Sequence, residues 1–163
     1  MRRPRVARDS NRRDLFGTPP SIGTAMRDPL PHDAVVVSVP ARPDQAHLLR
    51  AVTASVAARV PLSFDEIEDL KLAVDEGCAR LLAVGTQATR MELRLVATED
   101  RLEASVSIDG DVGSWPPPRI EETFSWRVLS ALVDTVTLDL DGGGPTVRMT
   151  KSRLEPSTRP GEA

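Results

Sequence analysis

Ser63 to Leu82 reads SFDEIEDLKLAVDEGCARLL, and this stretch decides the fold. Ser63 is a natural helix N-cap, Glu66 three residues on completes a capping box, and Leu62 and Ile67 hold the positions of a hydrophobic staple. Asp65 and Glu66 suit the positive end of the helix dipole. Phe64, Ile67, Leu70, Val74, Cys78, Leu81 and Leu82 recur at three- and four-residue steps, which predicts an amphipathic helix with one apolar stripe facing a core. Gly85 is its expected terminator. The polar side carries Asp69, Glu76 and Arg80. Glu76 lies seven residues after Asp69 and four before Arg80, so all three project from neighbouring turns of one face. Such a face is either a solvated one, with a Glu–Arg pair worth roughly a few tenths of a kcal/mol, or the seat of chemistry.

Working outward, Ala34 to Val39 (AVVVSV) is a β-branched run that predicts a first strand, stopped by Pro40 and Pro43. Pro43 in a first-turn position opens a helix through Arg59, with Leu48, Leu49, Val52 and Val56 as its apolar stripe. Downstream, Arg90 to Thr98 and Leu102 to Ile108 alternate in character and turn at Glu99-Asp100-Arg101, which predicts an antiparallel hairpin. The loop DGDVGSWPPPRIEE leads to a third helix, about Thr123 to Val133, with Phe124, Val128, Leu129 and Leu132 inward. Thr135 to Leu140 and Thr146 to Thr150 form a second hairpin across Asp141-Gly142-Gly143-Gly144-Pro145. The order β-α-α-β-β-α-β-β predicts an α+β domain, a two-layer sandwich of an antiparallel-rich sheet with three helices on one face.

The 163 residues fit one domain that buries a core without staples. The lone Cys78 falls on the apolar stripe, reads as a small buried hydrophobe, and rules out a disulfide framework or a Cys-rich metal site. No apolar run reaches the roughly 18 residues of a membrane span, and the basic start lacks an apolar h-region, so the expected location is cytoplasmic. Residues 1–32 hold seven Arg against three Asp, which leaves the remainder at −7 within a net charge of −3. An acidic body without Tyr, and with three Phe and two Trp, offers no platform for bases and suits a basic protein partner better than nucleic acid. Residues 1–32 and 153–163 are expected to be disordered tails around a folded 33–152.

From about Ala34 to Lys151 the chain resembles the anti-sigma factors of the RsbW and SpoIIAB type, in the GHKL or Bergerat ATPase superfamily. DLKLAVDEGCARLL and FSWRVLSALVDTVTL are most similar to mycobacterial members. In that family the organising helix carries a Glu, the general base toward a serine hydroxyl, and four residues later an Asn that holds Mg²⁺ against a triphosphate. Glu76 matches the first position and Arg80 stands in the second. A guanidinium has five donors and no lone pair, so it cannot coordinate Mg²⁺. It either contacts a phosphate or pairs with Glu76 and ties up the base, and the pairing is the expectation.

The family's D-x-G-x-G motif, whose Asp reads adenine, falls on Asp109, Gly110, Asp111, Val112 and Gly113, with Asp111 replacing the first Gly, or in a second register that places Asp111 and Gly113 first; an ordinary turn is the competing reading. The family's glycine-rich phosphate loop before the last helix is missing: Glu121-Glu122-Thr123-Phe124-Ser125-Trp126 stands there, and the lid region is short, Ser114 to Thr123. The resemblance implies a homodimeric anti-sigma factor that sequesters an alternative, SigF-type stress sigma factor and is released by an anti-anti-sigma protein with a STAS domain. It implies ATP and Mg²⁺ as cofactors where the family's serine/threonine kinase activity is kept, and two of three nucleotide motifs depart from that pattern. A regulatory module of the same fold with another partner is the remaining reading.

Overall fold

A computed structural model describes residues 33–110, 112–141 and 144–153. Of the two expected tails only Arg153 is described; the rest of them, Asp111, Gly142 and Gly143 lie outside the described residues. Ser63 is the N-cap of helix α2 (Phe64–Val84): its hydroxyl accepts from the Glu66 amide at 3.2 Å while the Glu66 carboxylate accepts from the Ser63 amide at 2.5 Å. The reciprocal capping predicted from the sequence therefore forms. At the other end the Gly85 amide donates to the Leu81 carbonyl at 2.8 Å. A β-carbon at Gly85 would stand 2.0 Å from Ile108 Cδ1, so a larger residue here would have to displace the end of that side chain.

Before it come strand β1 (Ala34–Pro40), a 3-10 turn at Pro43–Gln45 and helix α1 (Ala46–Ala57). After it come β2 (Arg90–Ala97), β3 (Arg101–Ile108), a 3-10 turn at Ile120–Glu122, α3 (Phe124–Leu132), β4 (Thr135–Asp141) and β5 (Gly144–Ser152). All four strand pairings are antiparallel, in the order β1-β2-β3-β5-β4. The two predicted hairpins are joined by pairing of β3 with β5, from Arg101 opposite Ser152 to Ser107 opposite Thr146. That pairing extends β5 beyond its predicted ends.

Met91, Leu93 and Leu95, Leu102, Ala104, Val106 and Ile108, and Val147 and Met149 form the buried side of the sheet beneath Leu49, Leu70, Val74, Cys78, Leu81 and Leu129. Each fully buried aliphatic side chain contributes about 1.5–3 kcal/mol, so this layer is the main source of stability. The opposite side carries half-buried polar residues linked across strands, such as Arg148 to Glu103 at 2.9 Å. The α+β sandwich with three helices among the described residues on one face is the architecture the sequence predicts.

The predicted stripes need correction at their edges. Phe64 and Phe124 are 74% and 80% exposed. Each is the first residue after a cap, and side chains tilt toward the N-terminus, so both overhang the end of their helix. Leu48 is also exposed, and Thr53 takes a core position with its hydroxyl donating to the Leu49 carbonyl at 2.9 Å. Pro43 opens a 3-10 turn rather than the α-helix, which starts three residues later.

Replacing Ser63 by Ala should lower the unfolding free energy by about 1 kcal/mol, whereas Phe64→Ala should change it by less than about 0.5 kcal/mol; urea denaturation of the two variants separates them.

Candidate functional site

Asp69, Glu76 and Arg80 do share one side of α2, and that side faces α3. Lys151 Nζ donates to Asp69 Oδ2 at 3.1 Å and to the Leu132 carbonyl at 2.9 Å, with only a tenth of its side chain exposed. The ammonium thus closes the C-terminal end of α3, where the helix dipole favours a cation. At the other end Arg80 Nη2 donates to Thr123 Oγ1 at 3.3 Å. Thr123 is the N-cap of α3: its hydroxyl accepts from the Trp126 amide at 3.2 Å and donates to the Ile120 carbonyl at 2.6 Å. Helix α3 therefore runs antiparallel to α2 and is fastened to it at both ends.

Glu76 stands between the two fastenings, half-buried, with no ion pair or hydrogen bond among the described residues. The expected Glu76–Arg80 pair is not formed. The guanidinium reaches across the seam to a hydroxyl instead of back along its own helix.

Asp109, at the end of β3, is engaged by its own chain. Oδ1 accepts from the amides of Thr89 at 2.7 Å and Arg90 at 2.8 Å, and Oδ2 accepts from the Thr89 hydroxyl at 2.6 Å. Partial burial pushes this carboxyl up, but the Thr89 hydroxyl, the two amides and the Arg90 charge outweigh that and hold it below the usual aspartate value of 3.8. Its evident work is to pin the start of β2. Gly110 and Gly113 follow with φ of +94° and +66°, conformations that favour glycine. Gly110 lies against Ala88, just past the end of α2, so this group and Arg80 occupy the same end of the domain without a hydrogen bond between them among the described residues. Asp111 lies outside the described residues.

Three contributors were missed in the sequence. Trp115 is buried and its indole N–H donates to the Asp139 carbonyl at 2.9 Å. Thr123 followed by Trp126 is an N-cap pattern that could have been found. Lys151, one of two lysines, gave no local signal because its partners are far away in sequence. A cleft of about 550 Å³ lies between α1 and α2, lined by His47, Arg50, Asp75, Cys78, Ala79 and Leu82 among others. Arg50 pairs with Asp75 there at 2.7 Å. Burial and the Asp75 charge push the Cys78 thiol up to about 12, which fits the small buried hydrophobe expected.

The described residues contain no cluster of three or more His, Cys, Asp or Glu able to hold a metal ion. The position that would ligate Mg²⁺ presents only guanidinium donors, already turned toward Thr123. The described residues at this position do not fit that ion.

A family model for the histidine kinase-like ATPase domain matches residues 39–151. The chain is 30% identical over 137 residues to the serine-protein kinase RsbW of Bacillus subtilis, covering 73% of this chain and 85% of that protein. It is 34% identical over 114 residues to the anti-sigma-F factor RsbW of Mycobacterium tuberculosis, covering 70% of this chain and 66% of that protein. Among solved structures, one holding RsbU and RsbW domains from Mycobacterium tuberculosis matches 80% of this chain and 34% of its own, with a TM-score of 0.58 and 19% identity, which bears on the fold.

The depressed Asp109 carboxyl contributes stability above the unfolded value that is lost as pH falls through and below 3.8. The melting temperature of Asp109→Asn should therefore fall less steeply than that of the wild type from about pH 4 downward, as scanning calorimetry across that range would read.

Proposed function

The chain belongs to the histidine kinase-like ATPase domain family, in its RsbW branch, and on that premise we propose that it is an anti-sigma factor. It binds a SigF-type stress sigma factor in the cytoplasm as a homodimer and keeps it from transcription. A STAS-domain anti-anti-sigma protein competes for the same domain and releases the sigma factor, so relative abundance and affinity decide which partner is held. The observation that carries this reading is the α2–α3 seam: the two helices are fastened at both ends, while Arg80, at the position the resemblance gives to a metal ligand, is committed to Thr123. No helix among the described residues is long and apolar enough to cross a membrane, which agrees with such a role.

One observation favours a second reading. Glu76 is unpartnered among the described residues and so remains able to accept a proton from a serine hydroxyl, as a serine kinase base must. Asp109, Gly110, Asp111 and Gly113 would then border the nucleotide, with Arg80 beside its phosphates. Phosphoryl transfer rests on positioning and charge neutralisation, and the misfit for Mg²⁺ removes a large part of both.

Mixing the purified chain with its SigF-type sigma factor should give one co-eluting complex, and absence of a complex by gel filtration and calorimetry would contradict the anti-sigma reading. Incubation with labelled ATP and the STAS partner should transfer no label. Transfer that disappears in Glu76→Gln would establish the kinase instead.

A further inference from the structure

The segment Ser114–Thr123, which the family resemblance marks as a lid, is secured at three separate points. Trp115 is buried with its indole N–H on the Asp139 carbonyl at 2.9 Å, Ile120 is buried ahead of α3, and Thr123 receives Arg80 at 3.3 Å. The turn between them is closed locally, by Thr123 Oγ1 to the Ile120 carbonyl and by the Arg119–Glu122 pair at 2.8 Å. Arg80 is the only one of the three points that belongs to α2, and it occupies the position the resemblance gives to a metal ligand.

A guanidinium near the N-terminus of a helix meets the positive end of its dipole, so the placement is stabilised by the hydroxyl it donates to and not by the helix field. That hydroxyl is itself the cap of α3. Holding it also fixes the amide of Trp126, and through Ile120 the end of the segment.

We propose that Arg80 is a positioning residue that locks Ser114–Thr123 and the start of α3 onto α2 in the absence of nucleotide, so that the surface offered to partners does not depend on Mg²⁺ and ATP. Its consequence for sigma binding rests on the anti-sigma reading, but the lock itself is a property of the chain alone.

Amide hydrogen exchange on the full chain tests it. Exchange at Trp126 to Leu129 should stay within about twofold when ATP and Mg²⁺ are added to the wild type, and should speed up about tenfold in Arg80→Ala without nucleotide, as loss of one charge-assisted hydrogen bond implies. Thr123→Ser, which keeps the hydroxyl, should exchange like the wild type, whereas a merely space-filling role for Thr123 would make it exchange faster. Strong protection of these amides on adding ATP and Mg²⁺ to the wild type, or no change in Arg80→Ala, would overturn the proposal. Sigma-factor affinity measured with and without ATP and Mg²⁺ should agree within about twofold. If no sigma factor binds while the exchange results hold, the function fails and the lock stands.

Discussion

The attachment of α3 to α2 is the constraint on which the rest of the domain depends. It is made twice, by Arg80 on the Thr123 hydroxyl and by Lys151, which bridges Asp69 and the Leu132 carbonyl at the end of α3. The two attachments differ in kind. Lys151 is nearly buried, so taking away Asp69 would strand an ammonium away from water, a heavier loss than a surface ion pair allows. Arg80 donates to a neutral hydroxyl at a partly buried site, and its value lies more in where it holds α3 than in its energy. Between them Glu76 has no hydrogen bond or ion pair among the described residues.

This seam is possible because α2 is itself fixed at both ends. The capping box sets its first turn, and Gly85 lets its last turn press on Ile108 of β3. From there the chain turns directly into Thr89 and Arg90, whose amides are taken by Asp109. Asp109 thus ties the end of β3 to the beginning of its neighbour β2, at the same end of the domain as Arg80. A residue that family likeness assigns to adenine is here occupied in holding the sheet together, with both of its oxygens already in use.

The sequence made legible what is local. The start and end of α2 follow from Ser63, Glu66 and Gly85, all within a few residues of what they act on, and the alternation in β2 and β3 gave the hairpin. The order of strands was not legible, because joining β3 to β5 depends on packing under α2 and not on any turn. Nor were the contacts that give the site its character: Arg80 to Thr123 spans 43 residues, Lys151 to Asp69 spans 82, and Asp109 to Thr89 spans 20. Spacing on one helix suggested Glu76 as the partner of Arg80, since four residues is the natural reach, and a competing hydroxyl on another element won. Phe64 and Phe124 misled for a related reason: periodicity counts a residue at a helix end as part of the stripe, although the core stops short of it.

The fastening of α3 at its first turn requires the link between Arg80 and Thr123 to be an energetic coupling and not a mere proximity. A double-mutant cycle of Arg80→Ala and Thr123→Val, read by denaturant unfolding without nucleotide or metal, measures that directly. The coupling should be about 1 kcal/mol in favour of the native pair. Strictly additive losses, with no coupling beyond error, would contradict the account.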